Sequence, residues 1–247
     1  MLTASILGLR YCRLLTSQLT PEKGKQLAAD FDYIFAVCHG NCEAPNFDIV
    51  QKNACLIDLS NGAETAFSKF HATSRNEVRR SDKFENLSFQ MGTGNDFDAY
   101  FNFYKACENA RGWFPVPEEE LRNSLIFTAL FDGQPVSGIS VYTNETRLRI
   151  GRIFSLKKTR QDARLNNLVY GCAAKRLVLE CCQYGAENGF QTLDLGGIDL
   201  QDPAKAGITQ FKLSLGGQVA PVTIARFANA RFRDSASQIR ESGYDIT

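Results

Sequence analysis

The sequence predicts an α/β fold in which a mixed, partly parallel sheet carries helices on both faces, with a β-rich extension at the N-terminus. Three observations predict it. From residue 87 the elements read β-α-α-β-β-β-α-β-α-β, three of the strands follow one another at hairpin spacing, and a long helical stretch links that meander to one further apolar strand. Sheets built this way bind ligands at the carboxyl ends of strands, where neighbours part.

The first 60 residues read as strands separated by loops. Ile6–Leu15 and Tyr33–Cys38 are predicted strands with a short helix, Pro21 to Asp30, between them. Ala54–Leu59 is an apolar run that stops at the turn signal Ser60-Asn61-Gly62. One helix is expected from there to about Lys83, with Phe67, Phe70 and Val78 on one side and Arg75, Arg79 and Arg80 on the other. Leu87–Met91 is a short strand, after which Asn95 is placed to cap a helix carrying Phe97, Tyr100, Phe101, Tyr104 and Glu108 on one stripe. Pro117 suits the first turn of a short helix ending near Ser124.

The meander comes next. Leu125–Phe131 and Gln134–Tyr142 flank the hairpin turn Asp132-Gly133, and Arg147–Leu156 follows the turn at Asn144-Glu145. Ala163 to Asn188 has helical periodicity and ends at Gly189, a C-cap glycine. Gln191–Gly196 is a buried strand, Asp202-Pro203 opens a short helical stretch, and Gln218–Phe227 is the last strand. Three regions follow from this order: strands over 1–60 that form a cap or a remnant of a second half, the main α/β domain over 61–230, and a polar tail over 231–247.

Composition narrows the class. With 28 basic against 27 acidic residues the chain lacks the surplus that a nonspecific grip on DNA needs. No run of about 18 apolar residues is present, so no membrane span is expected. The N-terminus lacks the early charges and cleavage site of a signal peptide, and the eight cysteines are scattered rather than framed as disulfides, which predicts a reducing cytoplasm. Cys38-His39-Gly40-Asn41-Cys42 has no second ligand pair to close a zinc site, so it reads as a strand end and turn, and no metal is expected.

Two local sequences sharpen the prediction. Leu193-Asp-Leu-Gly-Gly-Ile198, followed by Gly207-Ile-Thr-Gln-Phe-Lys-Leu-Ser-Leu-Gly-Gly217, resembles the strand-end and helix motif of the Fem peptidoglycan-bridge branch of the GNAT superfamily, with Leu215 in place of the usual second phenylalanine. Ser74-Arg-Asn-Glu-Val-Arg-Arg80 resembles that branch's arginine helix. The resemblance covers about residues 54 to 227. It implies the GNAT acyl-CoA N-acyltransferase fold and transfer of an acyl or aminoacyl group to an amine. Fem enzymes usually carry two GNAT-like halves, whereas this chain has room for one full domain.

Acyl transfer to an amine needs a neutral amine, a donor carbonyl held close and compensation of the oxyanion that forms. The resemblance gives Lys212 the role of oxyanion stabiliser or phosphate ligand, with Phe211 steadying its stem. Asp194 either accepts the amine proton or anchors the loop that follows; Asp199 and Asp202 are alternatives nearby. Gly196 and Gly197 let the backbone approach a ligand closely. Arg75 and Arg79 are candidate anion binders, and His71, one turn before Arg75, is a candidate base. The glycine loop of CoA-dependent members is missing; Lys158, Arg160, Arg164, Asn166 and Asn167 occupy its place and could hold phosphate.

The expected function is acyl transfer from acyl-CoA to a small amine such as an amino sugar or amino acid. Aminoacyl transfer from aminoacyl-tRNA is the second reading and a noncatalytic ligand-binding module the third. A homodimer and a place in cell-envelope biosynthesis are compatible with all three.

Overall fold

The structure is a computed structural model that describes residues 1–92, 97–112, 115–155 and 163–243, the side chains of 163–168 excepted. The N-terminal part contains β1 (Leu2–Ile6), β2 (Leu9–Thr16), α1 (Pro21–Asp30), β3 (Tyr33–Cys38) and β4 (Asp48–Asp58). Then come α2 (Gly62–Ser68), α3 (Ala72–Ser81), β5 (Leu87–Met91), α4 (Phe97–Asn109) and α5 (Glu118–Arg122). The meander is β6 (Leu125–Phe131), β7 (Gln134–Thr143) and β8 (Arg147–Ser155). The chain finishes with α6 (Ala163–Glu187), β9 (Thr192–Ile198), a 3-10 turn (Pro203–Lys205), α7 (Ala206–Leu213), β10 (Gln218–Ala228) and α8 (Ala230–Glu241).

Among the described residues, ten strands join one mixed sheet in the order β1-β2-β3-β10-β4-β9-β8-β7-β6-β5. Pairing is antiparallel except for β2 with β3 and β8 with β9. The main core lies on one face, where Ile57, Val141, Leu148 and Leu193 pack with Val78 of α3 and Leu177 of α6. α3 is also clamped to α6 by two ion pairs, Glu77 to Lys175 and Asp82 to Arg176. α4 covers the other face of the meander: its aromatic stripe puts Tyr100 and Tyr104 edge-on to Phe154. Gly138 makes room for that ring, since a Cβ there would lie 2.5 Å from it.

Four expectations are corrected or extended. Ile6–Leu15 is not one strand but part of a hairpin, because Leu7 and Gly8 both take left-handed φ values of 52° and 73°. Gly8 adopts that conformation freely; Leu7 carries no signal for it. The helix expected through Lys83 is two helices broken at residues 69–71. The polar tail folds as α8, capped by the Asn229 side chain and seated through buried Phe232 and Ile239 against Tyr11 and Tyr33. Strand β4, from the first 60 residues, lies inside the sheet between β10 and β9. The Asn95 cap falls outside the described residues.

The sheet is strongly curled. Three strand spacings separate β3 from β9, about 14 Å on a flat sheet, yet His39 at the end of β3 touches Asp194 on β9 at 2.9 Å. Leu2, Leu15 and Val37 from β1–β3 accordingly share an inner cluster with Tyr142 of β7. The exposed edge of β1 is blocked: Ser5 N–H donates to Glu119 and the Thr3 carbonyl accepts from Asn123 of the α5 region. Among the described residues no helix is long and apolar enough to cross a membrane.

Candidate active site

β8 and β9 pair only from Arg147–Thr192 to Arg149–Asp194. Beyond that point β9 stays with β4, with Gly197 opposite Ala54, while β8 continues unpaired on that side. The sheet therefore opens a wedge at the carboxyl ends of two parallel strands, the place where a ligand can reach backbone groups.

Asp194 sits at the apex of the wedge with no exposed surface. One carboxylate oxygen accepts from His39 Nε2 at 2.9 Å and from the Arg149 guanidinium; the other accepts from the Gly196 N–H at 2.7 Å. Burial alone would raise its pKa, but Arg149, His39 and the Gly196 amide outweigh burial and hold the carboxyl at about 2. Such a carboxylate is a poor proton acceptor near neutrality and a good anchor. Arg149, although buried, is pushed above its ordinary value by Asp194 and by Tyr142 beside it.

Gly196 takes φ +87°, a conformation open to glycine and costly for other residues. Its missing side chain leaves room for two cations, since a Cβ would lie 3.3 Å from Lys212 Nζ and 3.9 Å from Arg149 Nη2. Lys212, in the last turn of α7, donates to the Gly197 carbonyl at 2.7 Å. Burial, with Arg149 nearby, brings its ammonium down to about 8. Phe211 packs half-buried against the main core and fixes that end of α7. Cys55, on the bulge of β4, closes the floor; Gly217 leaves room for it, as a Cβ there would come within 2.3 Å of the sulfur.

The structure thus brings Asp194, Gly196, Gly197, Phe211 and Lys212 into one neighbourhood. His71 stands elsewhere: it is exposed at the N-cap of α3, where its backbone N–H donates to the Ser214 carbonyl. Arg75 donates to the carbonyls of Ser68 and Phe70, closing the turn between α2 and α3, and exposed Arg79 lies over Phe67 at 5.9 Å. Lys158 and Arg160 lie outside the described residues, as do the side chains of Arg164, Asn166 and Asn167. The residues that sequence reasoning missed are His39, Arg149 and Tyr142. Arg149 had a signal, because it alternates with the apolar Leu148 and Ile150 in a strand; His39 had none, since its partner lies 155 positions away.

Two cavities, of about 410 Å³ beside Ser5 and Arg122 and about 370 Å³ beside Pro21 and Phe47, lie apart from this wedge. In the first, the charged Arg122 and Glu118 already pair with each other. Among the described residues, no group of three or more His, Cys, Asp or Glu comes together as metal ligands would.

No protein-family profile matches the chain, and no curated protein sequence does. Solved structures match most of it. FemX is similar with a TM-score of 0.60 and 10% identity, over 82% of this chain and 74% of that one. The C-terminal domain of a protein from Agrobacterium fabrum described as a lysylphosphatidylglycerol synthetase gives 0.55 and 13%, over 88% and 74%. A protein from Novosphingobium aromaticivorans described as a GNAT-family acetyltransferase gives 0.51 and 12%, over 85% and 82%. At 10–13% identity these likenesses show the fold alone: the chain has a GNAT/FemAB-like fold.

Proposed function

We propose that this chain is an N-acyltransferase that moves an acyl group from acyl-CoA to the amine of a small molecule such as an amino sugar or amino acid. The observation that carries the reading is the position of Lys212: its ammonium lies over the Gly196–Gly197 end of β9, at the opening between β8 and β9. In the reaction the amine nitrogen bonds to the thioester carbonyl carbon, the C–S bond breaks with CoA leaving as its thiolate, and the proton lost from the amine passes to that thiolate directly or through solvent. Lys212 compensates the oxyanion formed on the way. Such a cation, held beforehand by its hydrogen bond to the Gly197 carbonyl, acts with little reorganisation at the moment of reaction. Asp194 is a positioning residue that holds Arg149, His39 and the Gly196 turn. The basic segment around Lys158, Arg160 and Arg164 binds donor phosphates, and the work is done in the cytoplasm.

Aminoacyl-tRNA as donor is the second reading. The likeness to FemX and to the synthetase domain favours it, as does the lack of a glycine loop before α6. Thermal shifts with acetyl-CoA, longer acyl-CoAs and aminoacyl-tRNA separate the two, because a ligand at a hundredfold excess over its Kd stabilises by about 2.7 kcal/mol. Acyl-CoA is expected to stabilise the protein. Stabilisation by aminoacyl-tRNA alone overturns the first reading, and stabilisation by neither leaves a binding module.

A further inference from the structure

Arg149 enters the site as the partner of Asp194, and one end of its guanidinium, Nη1, donates to that carboxylate. The other end, Nη2, turns towards Gly196 and lies 3.9 Å from the point where a side chain on that residue would begin. Lys212 Nζ lies 3.3 Å from the same point; its hydrogen bond to the Gly197 carbonyl takes one of its three N–H donors. Gly196 carries only hydrogen there, which keeps the space open. The Ile150 carbonyl oxygen, also 3.9 Å away, has no formal charge. Asp194 cancels one of the two positive charges, so Asp194, Arg149 and Lys212 together leave the space positive.

We propose that Arg149 is a second catalytic cation, whose Nη2 holds the oxyanion together with Lys212 Nζ in a cradle over Gly196. This rests on the acyltransferase reading of the wedge and adds a residue to it. As the amine nitrogen adds to the thioester carbon, the π pair of the C=O bond moves onto oxygen. It returns to carbon as the C–S bond breaks and CoA leaves as its thiolate. The extra charge on oxygen exists only between those two events, so a donor aimed at it favours the transition state over the bound thioester.

The surroundings fix that aim before any substrate binds. One oxygen of Asp194 takes Arg149 and the other takes the Gly196 N–H at 2.7 Å, so a single buried carboxylate sets the arginine against the turn it faces. Tyr142 stands directly opposite Arg149 in the β7–β8 ladder and packs in the inner cluster of the curled sheet, which puts it beside the arginine stem. A guanidinium can meet Asp194 and the cradle at once because its donors form a rigid fork; a lysine ammonium, a single compact charge, lacks that span. Two neighbouring cations repel, and Arg149 is, after burial, a cause of the fall of the Lys212 ammonium to about 8. An anionic oxygen between them offsets that repulsion.

The test measures kcat and KM for acyl transfer by two variants of the full chain. Asp194→Asn keeps the arginine and an oxygen for the Gly196 N–H; Asp194→Asn/Arg149→Met lacks the arginine and strands no charge. Both are run beside the wild type, with melting temperature as the control for folding. The double variant is expected to show a kcat about a hundredfold below that of Asp194→Asn, with KM for acyl-CoA little changed. An arginine that merely supports the fold would move the melting temperature and not that ratio, so equal kcat in the two variants overturns the proposal. Arg149→Lys answers the same question if the double variant fails to fold: it keeps a charge for Asp194 and loses the span to Gly196, so its kcat should fall to a similar extent, and a wild-type kcat overturns the proposal. Failure here and failure of the acyltransferase reading look different. A wild type that transfers nothing from acyl-CoA or aminoacyl-tRNA overturns both, whereas an active wild type with equally fast Arg149 variants overturns this proposal alone.

Discussion

Replacing Asp194 by asparagine keeps the shape of the side chain and removes one charge from the apex of the wedge. The arginine left behind has a side chain only 9% exposed. Removing one partner of a buried ion pair costs about 3–5 kcal/mol, because the other charge stays buried without compensation. The titration of the carboxyl gives a second view: a fall from 3.8 to about 2 corresponds to roughly 2–3 kcal/mol of preference for the charged form. The two routes agree on about 3 kcal/mol, a large part of the stability of an ordinary domain. Urea denaturation of the wild type, Asp194→Asn, Arg149→Met and the double variant measures it. The double variant is expected to recover much of the loss, since neither charge is then stranded. Because the folded carboxyl is held below its ordinary value, its contribution is complete above pH 3.8 and disappears as pH falls towards 2. The wild type should lose that contribution in this window and Asp194→Asn should not. A cost below about 1 kcal/mol, or single-variant losses that simply add in the double variant, would refute the anchor role.

Further outcomes follow from the same geometry. If transfer needs the Lys212 ammonium, which titrates near 8, the pH profile of kcat should fall as pH rises through that value, and Lys212→Arg should move the fall to higher pH. Gly217→Ala forces a Cβ to within 2.3 Å of the Cys55 sulfur, so denaturation should show a loss of about 1–3 kcal/mol, partly regained with Cys55→Ala. Phe232→Ala removes the aromatic anchor of α8, stacked 4.5 Å from Tyr33, and should cost about 3–5 kcal/mol; a neutral result would mean that α8 is dispensable to the fold.

Local physics made most elements legible in advance. The Asp132-Gly133 turn between apolar strands marked a hairpin, Pro21 marked the start of α1, and the aromatic stripe from Phe97 marked the buried face of α4. Where Leu7 turns the chain, no residue type announces it. α8 was hidden because only two of its residues, Phe232 and Ile239, are buried among many charges. The site was half legible. Gly196, Gly197 and Lys212 lie close together in sequence and carry a recognisable motif. His39 and Arg149 join them only because the sheet curls and because β8 and β9 pair side by side, and neither fact is written in any short stretch of residues. The arginines at 75 and 79 matched a motif, but the structure has them closing a turn and covering Phe67.

The most direct test measures transfer of labelled acyl groups from acyl-CoA to a set of small amines by the wild type and by Lys212→Ala, with melting temperature as the control for folding. The account predicts a loss of about a hundredfold to a thousandfold in kcat with little change in melting temperature. A Lys212→Ala protein that transfers acyl groups at the wild-type rate would contradict it.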